Sequence, residues 1–481
     1  MKRTLCAVIS ALMLLSLSAC AGGKEPEGTS APTAPAETEA HGAEETLVPA
    51  SDEPYIGDFG YDPETDFDQK LGMNGNLSTV IETEDVYYWL LNNDGYLRYC
   101  EKDGSDHGVV CGRPECVHDN GNAIAYNRDK DCNGYVGSVR PYMWLADGKL
   151  WYIDDYTYFR TYPDSCGVMM SMELDGTNKE LVKVIPKPKT QYGDGNLCPQ
   201  YYCCHRGMLY SFVTGGSIDD GEPSQPFLAM AFPLDGDEWI TIYDSGRDFH
   251  WGSVMPVGDY CYITDEAWAY ADPSILEDDD YDGEVIASRS EDIILRWCSV
   301  TGELEELYRG DMGGIYRYWI DEEGNFYTIS KFEEGVGSKS VLRLVDGAWE
   351  TVFDFEDPDV DYTIRSLSDG IVIARNYKEY DRNGMDPDID IWIKRYDGTT
   401  VYKGKLPVAW LEEAAKTPTF ERTHLVCGND SELFCIFETH KRTPNRSNEP
   451  QTYLLVKYII HEDGLEEVFL GKTYHEIINN W

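Results

Sequence analysis

The sequence predicts an all-β chain: a single β-propeller of about seven four-stranded blades, with six or eight also compatible, preceded by a disordered tether. Two observations carry this expectation. A short aliphatic and aromatic strand recurs seven times, and a tight turn, usually Asp-Gly, follows each copy at the end of a second β-rich run. Units that cannot bury their own apolar faces must stack on one another, so self-similarity at a long period specifies the architecture before any single element does.

The recurring strand reads Val86-Tyr87-Tyr88-Trp89, Leu150-Trp151-Tyr152-Ile153, Leu209-Tyr210-Ser211-Phe212, Tyr260-Cys261-Tyr262-Ile263, Phe326-Tyr327-Thr328-Ile329, Ile371-Val372-Ile373 and Leu433-Phe434-Cys435-Ile436-Phe437. The turns are Asp103-Gly104, Asp175-Gly176, Asp235-Gly236, Thr301-Gly302, Asp346-Gly347, Asp397-Gly398 and Asp463-Gly464. Asp-Gly between β-rich segments is a strong hairpin signal, because glycine accepts the positive φ of a tight turn. Each unit therefore supplies three or four antiparallel strands, which suits a propeller blade better than a solenoid coil. Ring closure shelters the blade faces and lets a long chain form one domain, with tyrosine, tryptophan and phenylalanine filling the wedges between blades. One helical stretch is expected, from Ala409 to Lys416, as a connector before the seventh unit.

The chain opens with Lys2 and Arg3, an apolar run from Leu5 to Leu17, and Leu17-Ser18-Ala19-Cys20. Those parts stand in the order of a secretory signal, and the run is too short for a membrane span. Residues 1–19 are expected to be removed and 20–55 to form a Gly, Glu, Thr, Ala and Pro-rich tether with little to bury, leaving 56–481 as the propeller. Such a tether gives a reach on the order of 30 Å.

The formal net charge is -47. That field repels phosphate backbones and anionic headgroups, which argues against nucleic acid and against a membrane-docking face. It also favours a soluble monomer.

The signal ending in Cys20, the tether, the Asp-Gly blades and Cys111-Gly-Arg-Pro-Glu-Cys116-Val-His118 together resemble a group of Gram-positive lipoprotein propellers, similar in turn to TolB-type and low-density-lipoprotein-receptor-related propellers. The resemblance covers the chain from about Asn76 onward. It implies Cys20 as the lipidated residue and an extracytoplasmic location on the cell membrane, reached only through the lipid. No established activity comes with it.

Cys111, Cys116, His118 and Cys132 form the tightest group of metal-capable residues. Three thiols and an imidazole could complete a tetrahedral zinc site. In an exported chain disulfide formation is the first expectation for such cysteines, with Cys100 or Cys166 as a further partner. A catalytic Cys-His pair is disfavoured, because nothing marks an orienting third group. Cys427 with Cys435, and Cys261 with Cys298, fall on neighbouring strands as bridges or buried thiols.

Asp278, Asp280 and Asp282 precede Gly283 as in the opening of a calcium loop, but twelve residues on from Asp278 stands Arg289 where the bidentate Glu belongs. Asp386, Asp388 and Asp390 are a weaker version of the same pattern. A solvated acidic insertion is the expectation for both. The insertions Tyr156–Pro163, Trp268–Glu284 and Tyr377–Asp388 are where exposed aromatics could meet a ligand.

No nucleophile elbow, zinc-protease helix, phosphate loop or dinucleotide fingerprint occurs. The leading expectation is a non-enzymatic binding or scaffolding propeller for a protein, peptide or glycan. An extracytoplasmic polysaccharide hydrolase or lyase using paired carboxylates near the channel is the alternative.

Overall fold

A computed structural model describes residues 59–475 of the protein, except 61, 63–65, 67–77, 92–95, 117–131, 137–141, 155–160, 191–198, 214–226, 247–249, 271–286, 313–314, 316–317, 331–339, 356–360, 367–369, 377–389, 410–419, 429–430 and 440–450. Strand follows strand throughout, and no helix occurs among the described residues. The connector expected at Ala409–Lys416 lies, beyond a turn at Ala409, outside them.

The first sheet holds β1 (Ser78–Glu82), β2 (Val86–Leu91), β3 (Leu97–Glu101) and β4 (His107–Val109). The second holds β5 (Met143–Ala146), β6 (Lys149–Asp154), β7 (Ser165–Met172) and β8 (Glu180–Pro186). The third is built from β9 (Gln200–His205), β10 (Met208–Val213), β11 (Leu228–Pro233) and β12 (Ile240–Asp244), and the fourth from β13 (His250–Val257), β14 (Tyr260–Tyr270), β15 (Ala287–Cys298) and β16 (Leu304–Gly310). In the fifth lie β17 (Tyr318–Ile320), β18 (Phe326–Ile329), β19 (Ser340–Val345) and β20 (Ala348–Asp354), and in the sixth β21 (Asp361–Ser366), β22 (Gly370–Asn376), β23 (Asp390–Arg395) and β24 (Thr400–Lys405). The seventh is β25 (Phe420–Gly428), β26 (Glu432–Thr439), β27 (Gln451–His461) and β28 (Gly464–His475). Each sheet pairs its four strands in chain order, all antiparallel.

Side-chain packing makes the seven sheets a ring. Separate clusters of buried apolar residues join the first sheet to the second, the second to the third, and so on to the sixth and seventh. A further cluster joins the seventh back to the first: Val80, Tyr87, Trp89 and Cys100 pack on Phe434, Ile436, Leu455 and Leu470. These are the blades of a propeller, and aromatics fill the wedges between them. Tyr210 meets Trp297 edge-on at 6.3 Å, Tyr262 meets Phe326 at 6.2 Å, Tyr327 stacks on Tyr396 at 4.3 Å and Tyr87 meets Phe434 at 4.9 Å.

All seven recurring sequence runs are the second strand of their blade, six of them mostly buried on both faces among the described side chains, and the Asp-Gly turns join third strand to fourth. Asp346 and Gly347 both take positive φ, 48° and 75°, as a two-residue primed turn requires. At Gly104 a second demand is added. Its φ is 76°, and a Cβ there would run into the carbonyl oxygen of Phe469 in the neighbouring blade. In six of the seven blades the pairing of third and fourth strands slips by one residue, a bulge that spoils the outer edge as a template for another strand.

At the closing interface Trp89 is 1% exposed, and the surrounding blades leave little room for collapse. Replacing Trp89 with Ala should lower the unfolding free energy by about 3–5 kcal/mol in a denaturant titration, whereas Val300→Ala on the surface should change it by less than about 0.5 kcal/mol. Equal effects at the two positions would contradict closure through this interface.

Candidate functional site

Strand order decides which residues can meet a ligand. In a four-strand meander the first and third turns lie at one end of the blade and the second turn and the blade-to-blade connection at the other. The turns at the first end are short: 147–148, 206–207, 258–259 and 346–347 are two residues each. The second end carries shorter links such as 92–96 and 245–249, but also all the longest ones, among them 110–142, 214–227, 271–286, 377–389 and 406–419. Stacked in register, the seven blades therefore give the disc a tight-turn face and a connection face.

The tight-turn face carries a latch. Arg206, in the turn between β9 and β10, bonds Asp66 through Nε at 2.6 Å, and also bonds Asp259 and the carbonyl of Gly60. Asp66 accepts the N–H of Gly258 at 3.1 Å, Phe59 accepts that of Asp259 at 3.2 Å, and the Phe59 ring packs on Tyr260. Residues upstream of the first blade are thus fixed to the third and fourth. His205 sits under this latch, with Nε2 2.7 Å from the Gly258 carbonyl. Burial holds its pKa below the ordinary 6.5, although the Gly258 carbonyl and Asp66 partly offset that effect.

Buried polar groups gather near the connection end of the fourth blade. Asp265 accepts from His250 Nδ1 at 2.6 Å and from Tyr243 of the third blade at 2.7 Å. Glu266 accepts the N–H of Ile315 at 2.9 Å and Asp292 that of Met312 at 2.6 Å, so both carboxylates hold the connection to the fifth blade. Sequence reasoning did not single these out, since each is one carboxylate among 87 Asp and Glu residues.

Of the residues expected to form a site, Cys111, Cys116 and Cys132 come together, with their Sγ atoms all within 4.8 Å of one another. They sit where the 110–142 connection leaves β4. The N–H of Val110 bonds the Leu97 carbonyl at 3.0 Å, and that of Leu97 bonds the Gly134 carbonyl at 2.8 Å. The ten cysteines whose side chains are described are unbridged thiols. Partial burial opposes ionisation of Cys111, yet the N–H groups of Arg113 and Asn133 and the two neighbouring thiols bring its pKa below the ordinary value. Burial and the Cys111 charge push Cys132 up to about 12 and raise Cys116 as well.

Cys100 and Cys166, the expected further partners, lie in other blade interfaces and do not join this group. Cys261 and Cys298 are also apart: Tyr260 pairs with Cys298 and Cys261 with Trp297, so the two thiols point to opposite faces of the blade. Asp390 pairs with Lys405 at 2.8 Å. Cys20, His118, Asp278, Asp280, Asp282, Asp386 and Asp388 lie outside the described residues, as do most of the three insertions named above.

No family model matches the sequence, and no curated protein matches it. Among solved structures it is similar to a putative 6-phosphogluconolactonase from Bacteroides fragilis, at 9% identity and a TM-score of 0.35 over 84% of this chain and 97% of that one. It is similar also to the nidogen/laminin complex, at 9% identity and a TM-score of 0.32 over 66% of this chain and 92% of that one. A third is prolyl oligopeptidase B from Galerina marginata, at 10% identity and a TM-score of 0.38 over 84% of this chain and 52% of that one.

A histidine held neutral by burial makes folding sensitive to acid. The unfolded chain binds a proton near pH 6.5 that the native state resists, so the contribution is present above that pH and is lost as pH falls below it. Unfolding free energy should therefore decline below about pH 6.5, and His205→Gln should flatten the decline. An unchanged pH profile in the variant would show that His205 is not the group responsible.

Proposed function

We propose that the protein is a lipid-anchored, extracytoplasmic binding propeller that holds a protein, peptide or glycan on its connection face. The observation that carries this reading is the division of the disc. The longest connections leave the blades at one face, while the other is built from turns of at most seven residues and carries the Phe59–Asp66 latch. Rigid scaffolds bind through loops of this kind, because the framework holds their bases and leaves their side chains available.

The same reading gives the chain a lipid anchor at Cys20, and the Phe59–Asp66 latch covers part of the tight-turn face rather than the connection face. The charge of -47 keeps such a domain off anionic headgroups and leaves the lipid as its hold on the membrane. The buried carboxylates of the fourth blade bond His250, Tyr243 and backbone N–H groups, which is the work of a scaffold.

Two measurements test this reading. Cys20→Ser should move the protein from the membrane to the soluble fraction and abolish incorporation of a labelled fatty acid; continued incorporation would sink the anchor assignment. For the face, Tyr270 pairs with Ala287, so a two-residue Asn-Gly turn can replace 271–286 without moving either strand. That replacement should leave the thermal midpoint within about 4 °C and weaken binding to a ligand found on glycan and peptide arrays by at least about tenfold. Undiminished binding, after equivalent replacements at 214–226 and 377–389 as well, would place the ligand elsewhere.

A further inference from the structure

We propose that Cys111, Cys116 and Cys132 are three ligands of a thiolate centre for one zinc-class divalent cation, fastening the base of the 110–142 connection to the first two blades. This goes beyond the binding role and does not depend on it.

The geometry suits a cation better than a bridge. Zinc–sulfur bonds of about 2.3 Å in tetrahedral array place sulfurs about 3.8 Å apart, inside the 4.8 Å that encloses all three Sγ atoms. A disulfide can join only two of them and leaves the third thiol against the bridge. A cation uses all three, and the fourth tetrahedral position is left for one more donor.

The backbone around the thiols is arranged for anions. Arg113 and Asn133 direct N–H groups at Cys111, and Gly134 directs its own at Cys132. In two of these three bonds the donor is two residues past the cysteine, so a short turn folds back onto its own sulfur. Such bonds orient a thiolate and spread its charge, which is what a ligand shell needs. Gly134 is required for that turn, because a Cβ would strike Val109 and the carbonyls of Val110 and Leu97.

Charge is balanced from the second blade. Three thiolates around a divalent cation carry one net negative charge. The half-buried Lys179 lies within electrostatic reach of Cys111 and Cys132, donates to the Tyr135 carbonyl, and sits 5.7 Å from the centre of the Tyr152 ring. Asp154 is its first charged neighbour, and the two sulfurs add to the negative side of the same group. Gly176, in the turn between β7 and β8, is pressed against Val110 and Asn133 from the same side. The centre would thus lock the first inter-blade connection to both blades it joins. Binding requires the thiols to lose their protons, which leave to solvent as the cation enters.

The full chain, purified with reductant and without chelator, should contain about one zinc per chain by elemental analysis. Replacing the metal with cobalt(II) should give sulfur-to-cobalt charge-transfer absorption and the strong visible bands of tetrahedral cobalt. Cys111→Ser should drop the zinc content at least about tenfold, and Cys204→Ser should leave it unchanged. If Cys111→Ser does not fold, Cys116→Ser, on the more open side of the cluster, reads the same loss. Reduced wild-type protein that takes up no stoichiometric zinc or cobalt would overturn the proposal. So would peptide mapping of rapidly alkylated protein that finds two of the three sulfurs joined.

Discussion

Among the described residues, the ring closes through side chains. All four strands of the last blade come from Phe420–His475 and all four of the first from Ser78–Val109, so no strand is shared across the join. What holds it is apolar packing around Tyr87, Trp89, Phe434 and Leu455, together with one buried charge. Lys457 lies 3.2 Å from Glu432 and donates to the Tyr87 hydroxyl at 3.3 Å, and that hydroxyl donates to Glu432 at 3.0 Å. Three groups from two ends of the chain satisfy one another where water cannot, so each is costly to leave behind. Tyr87 and Glu432 are 345 positions apart. Closing a free loop of that length costs about 5 kcal/mol of entropy by the logarithmic law, but the intervening blades, once stacked, have already met most of it. Closure is thus the step that depends on every other interface, and it gives the ring its cooperativity.

A closed ring has consequences for its two faces. Consecutive blades must repeat the same strand order to stack, so the longest connections all leave from one end, while no turn at the other end exceeds seven residues. The short-turn end can then be covered. Asp66 and Phe59 fasten onto the turns of the third and fourth blades, far around the ring from the first blade that follows them in sequence. The long connections and the Phe59–Asp66 latch are thereby separated by topology rather than by a particular residue.

How much of this was legible depended on where each strand lies in its blade. Second strands with described side chains are mostly buried on both faces, and their unbroken apolar runs, such as Leu433–Phe437, stand out. Third strands announce themselves by the turn that ends them. First strands such as Tyr318–Ile320 are too short to show a period, and fourth strands such as Leu304–Gly310, at the outer edge, have mixed exposure. The cysteines teach the same lesson at single-residue scale. Proximity in sequence identified Cys111, Cys116 and Cys132 as a group, but it could not say that Cys261 and Cys298, on paired strands, face different wedges. A register offset of one residue decides that, and one residue sends a side chain to the opposite face.

The connection face itself poses a mechanical problem, because chain that leaves a blade for many residues must be held at its base if the surface is to be a defined shape. In the fourth blade the solution is carboxylate chemistry: Glu266 and Asp292 seize the N–H groups of Ile315 and Met312 at the start of the next connection. Where the 110–142 connection begins, no buried carboxylate plays that part among the described residues, and three sulfurs with inward-turned N–H groups stand in its place. The longest connection thus begins at the thiol cluster proposed above to hold a cation. A connection of that length held only by hydrogen bonds at its two ends would fray from the blade, whereas one drawn to a common centre cannot lengthen without breaking several bonds at once.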